Sequence, residues 1–435
     1  MSAHLWQWLI LGLTLALLIA LAWKKPHSLV LVLSVAVALD ISRTWYPDLG
    51  TLGKALGTVD LARLTTLSII ITALIYIAFS STRRQRLASA LRRPVTWAFI
   101  LYILLGAASL AYSVDKRATV VEALRLLTLL GLALGVATLA RKKDVLLPFQ
   151  VVHLTGLLLL PLTFYEALTK HFIWEQFLAE VVPPRVNATF VDPNIFARYL
   201  VLAIVANVVL QYLTEDRYRR LLYLAALLGL VAELVLTLSR SGMVTVLAVL
   251  VLMLLLKPEK KVLRPIGVAA GLGLAVSLVH RSVWQRILTF GQGVKALDPQ
   301  RLYLFRAAAA MFHDHPLLGV GLGGFQTAFI THYIKYKTIS NGVTLSHTTI
   351  LTTAAELGVA GLAVLALIWV VLTRLMWSLR AAGRRNGIIG TGYFLWIVAV
   401  FISSQAEARF FEDPMLWLAT AMLLTLRLAA DNNLS

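Results

Sequence analysis

The sequence predicts an all-α, polytopic transmembrane bundle of about twelve spans, and three observations carry that prediction. Of its 435 residues, 59% are hydrophobic and only 14% charged, with a mean hydropathy of +0.80, too few charges to clothe a soluble particle. Apolar residues run on without interruption for roughly 17–25 positions at a time, the length a helix needs to cross the hydrocarbon layer. Lipid admits only helices or closed barrels, and the short alternating segments of a barrel are absent.

Taken in order, spans are expected at 5–23, 28–41, 64–80, 95–112, 120–140, 145–168, 195–213, 221–238, 243–256, 266–279, 350–377, 388–404 and 415–428. The runs at 28–41 and 415–428 are short enough to lie obliquely or re-enter, which leaves about eleven to thirteen crossings. Lys24 and Lys25 follow the first apolar run instead of preceding it, unlike a cleaved signal peptide. Three regions result: spans and short loops over 1–280, one large polar loop domain over 281–346, and C-terminal spans over 347–435.

Lysine and arginine set the orientation. Connections near 24–27, 81–94, 141–144, 214–220, 257–264 and 374–386 together hold roughly twenty of them, and the alternate connections far fewer. The basic set is therefore expected in the cytoplasm of a bacterial inner membrane. The loops at 169–192, 239–242 and 281–346 then face outward, into the periplasm of a Gram-negative cell. The net charge of +19 is largely this belt meeting anionic headgroups, and no separate basic domain suggests nucleic acid. Without cysteine the chain has no disulfides or thiolate metal sites. No pair of matching interrupted spans marks an inverted-repeat transporter.

Inside 281–346, Arg301–Phe312 reads as an amphipathic helix, with Leu302, Phe305, Ala309 and Phe312 at helical spacing after Asp298 and Pro299. A glycine-rich stretch, 316–325, follows. It has no preceding strand to make a dinucleotide fingerprint, and its glycines suit tight turns and close backbone packing.

The polar residues able to do chemistry gather on the outer side. Asp192 and Asn194 flank Pro193 and fit helix capping as well as they fit substrate contact. Arg185 has no capping role; beside a helix N-terminus it would deepen an anion site. Arg240 sits in the tight connection 239–242. It can snorkel to headgroups or, with Glu233 seven residues earlier on nearly the same face, point inward, where Glu233 would balance its charge. Arg301 stands at a helix start where a cation wants an anion, whereas Arg306 reads equally as a solvated charge. His347 begins the long span that includes Ala355-Glu356-Leu357-Gly358, and its imidazole titrates near neutral pH, as a general base should. His313-Asp314-His315 lacks a second ligand cluster and makes a weak metal motif. Clustered arginines without a metal motif suggest that guanidinium groups, bidentate toward phosphate, serve as the anion clamp.

In order, side and spacing, the segments 185–194, 239–242, 301–325 and His347 with 355–358 resemble the O-antigen ligase and polymerase family of lipid-linked glycan-processing membrane proteins. The resemblance covers about 180–360; the first 170 residues match only as generic spans. Many members carry His-Asn where this chain has His347-Thr348. The resemblance implies a membrane-embedded, GT-C-like glycosyltransferase that needs no metal or other cofactor. Its donor would be a glycan on undecaprenyl diphosphate and its acceptor lipid A-core. Arg185, Arg240 and Arg301 would hold the diphosphate and His347 would activate the acceptor, with Asn194, Asp192, Glu233 and Arg306 in supporting positions. A polymerase of the same family, or a flippase for lipid-linked saccharide, are the alternatives. The flippase would place charges deep in the bundle with a path to both faces.

Overall fold

The computed structural model describes residues 5–48, 58–174, 184–279, 299–334, 346–407 and 410–431. Within them the chain is helical, without a strand. Its helices are α1 (Leu5–Lys24), α2 (Leu29–Ala36), α3 (Leu61–Phe79), α4 (Ser81–Leu91), α5 (Pro94–Ala108), α6 (Lys116–Leu139), α7 (Leu147–Thr169) and α8 (Pro193–Leu213). They continue as α9 (Arg217–Leu236), α10 (Arg240–Leu256), α11 (Lys260–Val279), α12 (Pro299–Asp314), α13 (Thr349–Ala381), α14 (Arg384–Ser404) and α15 (Pro414–Asp431). Nine of those described are long and apolar enough to cross a membrane: α1, α3, α5 to α8 and α13 to α15. The apolar helices α2, extended by the 3₁₀ turn Pro26–Ser28, and α10 are shorter. The protein is a polytopic helical membrane protein.

Local chemistry sets the helix starts. Asp60, Asp115, Asp192, Asp216, Ser239 and Thr348 each accept a hydrogen bond from a backbone N–H in the first turn of α3, α6, α8, α9, α10 and α13, filling a donor the helix leaves unpaired. Between these starts the apolar sequence decides burial. In α8, 94% of the apolar stretch is enclosed by protein, against 6% in α1, so α8 is the axis of the bundle and α1 its lipid-facing rim. Around α8, Trp396 donates Nε1–H to Leu202 O at 2.8 Å and Tyr393 donates its hydroxyl to Val145 O at 2.6 Å, so the large rings of α14 are buried with their polar tips satisfied.

The two ends of the bundle differ in chemistry. At one end, Arg83 and Arg86 donate to carbonyls at the end of α6, Arg93 pairs with Asp431, and Arg384 with Tyr212 clasps Glu259. At the other end lie the starts of α8, α10 and α13 and the end of α14, held together by uncharged and mixed polar contacts described below. Arg198 belongs to this second end. It is buried with Glu407 and Asp413, each at 3.0 Å, and ties the turn after α14 to α8. Buried ions without partners would cost several kcal/mol, so the three stand or fall together.

One expected span is broken. The single run 350–377 becomes α13, but Gly358 adopts φ +62° and ψ −155° and splits it in two. The glycine-rich 316–325 stretch stitches into this break. Val320 N donates to Ala355 O, Gly321 N to Glu356 O and Val359 N to Pro316 O, at 2.8–2.9 Å. A Cβ on Gly319 would lie 2.3 Å from Glu356 C, and one on Gly358 2.4 Å from Leu317 C, so the backbones touch because neither residue has a side chain. The amphipathic segment forms α12, two residues longer at each end than expected. Its Leu304, Ala308 and Met311 pack with Phe325, Phe329 and Ala355. Asp298 lies outside the described residues.

Candidate active site

The segment leading into α8 is pinned before it reaches the helix. Glu166 of α7 accepts from Asn187 N at 3.2 Å and Ala188 N at 2.9 Å, Asp40 accepts from Val191 N at 3.2 Å, and Thr189 donates to Ala38 O. Asp192 then caps α8 by accepting from Asn194 N at 2.6 Å, with Pro193 in the first turn. This fixes the side chain of Asn194 toward the 237–241 connection. Its Oδ1 accepts from Arg185 Nη2 at 2.7 Å and from Ser239 Oγ at 2.8 Å, and Arg185 Nε donates to Thr237 O at 3.1 Å. Ser239 in turn caps α10, where Arg240 is the first residue. One arginine, the start of α8 and the start of α10 are thus joined at a single amide oxygen. Two positive helix ends and two guanidinium-bearing segments meet there, a setting suited to an anion.

From this cluster a seam of hydroxyls runs to α13. Ser239 Oγ lies 3.1 Å from Ser241 Oγ; Thr245 Oγ1 donates to Ser241 O at 2.7 Å and lies 3.2 Å from Ser403 Oγ. Thr349 Oγ1 donates to Ser404 Oγ at 2.9 Å. Thr349 follows Thr348, which caps α13, and His347 stands immediately before that cap, half-buried. Ser346, fully buried on its other side, bonds to Thr352 at 2.8 Å.

Backbone strain marks the same connections. Four described non-glycine residues have positive φ: Lys170 at the end of α7, Ala188 (+48°), Leu238 (+51°) and His347 (+64°). Three of them lie in the segments that carry Arg185, Arg240 and the histidine itself. Left-handed backbone costs a side-chain-bearing residue roughly 1–2 kcal/mol and is retained only where surroundings enforce it.

The remaining expected residues lie elsewhere. Arg301, partly buried, and Arg306, exposed, sit on α12, which packs on the first half of α13; no bond into the Arg185–Asn194 cluster is present among the described residues. Glu233 is buried in α9, and neither carboxylate oxygen has a hydrogen-bond partner among the described residues; no ion pair with Arg240 is among them. His313, Asp314 and Tyr333 form a surface group, with Tyr333 donating to Asp314 at 2.8 Å. Partial burial and the Asp314 carboxylate push the Tyr333 hydroxyl up to about 12. The described histidines and acidic residues form no group of three placed to hold a metal. Thr245, Ser403 and Ser404 are not among the residues the sequence singles out. Their signal is faint, since a hydroxyl in a span ordinarily bonds back to its own helix.

Fold and site together define a polytopic helical membrane protein with a polar, arginine-bearing site at one end of the bundle. Residues 223–366 match the family model described as O-antigen ligase. The match takes in Glu233, Arg240, Arg301, Arg306 and His347; Arg185 and Asn194 lie before it and join it through Thr237 and Ser239. It agrees with the family resemblance drawn from the sequence. No curated protein matches the chain.

Proposed function

We propose that the protein is an O-antigen ligase, moving a glycan from undecaprenyl diphosphate to a sugar of lipid A-core at the periplasmic face of the inner membrane. The observation that carries this reading is the path from Arg185 through Asn194, Ser239, Ser241, Thr245 and the neighbouring Ser403 and Ser404 to the start of α13, just after His347. It links an anion cradle to a base.

In the reaction, the acceptor hydroxyl oxygen attacks the anomeric carbon in line with the departing diphosphate. The carbon–oxygen bond to phosphate breaks, its electron pair stays on the diphosphate, and the configuration inverts. Arg185 and Arg240, with the starts of α8 and α10, hold the diphosphate and stabilise the charge that grows on it, an effect amplified where water is excluded. His347 takes the acceptor proton as attack proceeds. Asn194 aims Arg185, and Asp192 holds the start of α8. An outward-open apolar groove between α10, α13 and α14, lined by Trp369, Phe401, Met376 and Leu256, offers a polyprenyl tail a bed that begins two residues from Ser403.

Reconstitution with lipid-linked O-antigen and lipid A-core tests the proposal. Undecaprenyl diphosphate release and a ligated product are expected, persisting in EDTA and abolished in His347→Ala. Strict metal dependence would overturn the arginine clamp, and unchanged turnover in His347→Ala would remove the base. Extension of one lipid-linked glycan by another, without lipid A-core, would identify a polymerase instead.

A further inference from the structure

A second polar cavity, of about 370 Å³, lies among α5, α6, the first half of α13 and the turn before α15. It shares no lining residue with the arginine cluster. Among the described residues its wall carries Glu122, Glu356 and Glu412 and one guanidinium, Arg125, which bonds Glu122 at 2.7 Å and Glu412 at 3.2 Å. Tyr102 and Phe411, stacked with centroids 4.1 Å apart, supply an apolar side. Carboxylates are strong acceptors for hydroxyl groups, and an excess of them repels phosphate. A mixed wall of acceptors, hydroxyls and aromatic rings suits a molecule with hydroxyls around its edge and C–H groups on its faces. The volume accommodates roughly one or two pyranose rings.

Its position relates it to the candidate base. Thr349 and Thr352 both line it. Thr349, two residues after His347, bonds Ser404 on the hydroxyl seam, and Thr352 bonds Ser346, the residue before His347. The first turn of α13, two residues after the histidine, therefore lines the cavity, while the Arg185 cluster reaches that turn along the seam. We propose that this cavity is the subsite for an uncharged sugar of the acceptor, a claim that rests on the glycan-transfer reading for its role and on the cavity alone for its ligand. Charge then sorts the substrates: the diphosphate goes to the arginines, and the neutral sugar to the carboxylates.

Two measurements on the full chain in nanodiscs test this. Saturation-transfer NMR with methyl β-glucoside and methyl β-galactoside should show binding of at least one. The signal should fall in Ala118→Leu, which fills the cavity, and in the Glu122→Gln/Glu412→Gln double variant, with helicity and melting temperature showing that each variant is folded. Glucose 1-phosphate should give a weaker signal than the neutral glycosides. Equal signals from the phosphate ester, or glycoside binding untouched in both folded variants, would overturn the sugar site. In the transfer assay the double variant should raise the acceptor KM about tenfold or more and leave the donor KM in place. A parallel rise in both would overturn the acceptor assignment. If the wild-type chain transferred nothing, the glycan-transfer reading would fall while the NMR result still decided the sugar site.

Discussion

At the scale of the residue, Asn194 shows how a neutral group can govern a charged one. Its amide oxygen accepts from both Arg185 and Ser239, so it orients the guanidinium while leaving its charge whole. Asn194→Asp keeps the shape and places a carboxylate against that cation, which would compete with the donor diphosphate. The donor KM is expected to rise about tenfold or more, with little change in the acceptor KM. Arg240→Lys keeps the charge and loses the planar fork, so transfer should also fall sharply if bidentate grip on phosphate matters. Outside the spans, Asp115 is held below the ordinary aspartate range by the Ala118 backbone N–H and the Thr327 hydroxyl. At the opposite end, Glu259 is likewise lowered: slight burial pushes it up, and hydrogen bonds from Tyr212 and Arg384, with the charge of Arg384, more than offset that. Groups depressed in the fold stabilise it fully above their unfolded values and lose that contribution as pH falls through the folded ones. The melting temperature should therefore be level above about pH 5 and decline below about pH 4, with a shallower decline in Asp115→Asn.

At the scale of the element, α13 depends on a partner distant in sequence. Gly358 and Gly319 are both left-handed, and each lies against the backbone of the other's segment. Gly358→Ala is expected to cost about 1–3 kcal/mol from backbone strain alone, before the clash with Leu317 is counted. A drop in melting temperature and new protease cleavage within 316–324 would report it; a melting temperature equal to wild type would contradict the stitched break. The spans were legible because lipid demands long apolar runs, and hydropathy reads those directly. This break was hidden, since a glycine in an apolar run looks like any small packing residue until its partner loop is in view. The site divides in the same way. Arg185, Asn194, Arg240 and His347 announced themselves as polar groups beside spans. Thr245, Ser403 and Ser404 did not, because each is a hydroxyl within a span whose meaning comes from the neighbouring helix. Helical periodicity puts Glu233 on nearly the same face as Arg240, and periodicity gives the face of a residue without the position of its neighbours.

At the scale of the whole molecule, the basic end and the candidate site occupy opposite poles of one bundle. The sequence contains no cysteine, so every introduced thiol can be labelled without background. Leu318→Cys, exposed at the site end, is expected to react with a membrane-impermeant maleimide added to the periplasmic side, whereas Arg84→Cys, exposed at the basic end, should react only after permeabilisation. The reverse pattern would invert the orientation and move the proposed chemistry to the cytoplasm.

The contrast between α1 and α8 bears on how such a sequence can change over time. A helix with lipid on almost every side answers mainly to hydropathy, so leucine, isoleucine, valine and phenylalanine are nearly interchangeable along Leu5–Lys24. In α8 each exchange meets a close-packed neighbour and must be matched by a second change across the contact. A saturation-mutagenesis scan should find α1 permissive and α8 restrictive for the same apolar swaps. Descendants of one ancestor would then diverge fastest at the rim while their axis stayed recognisable.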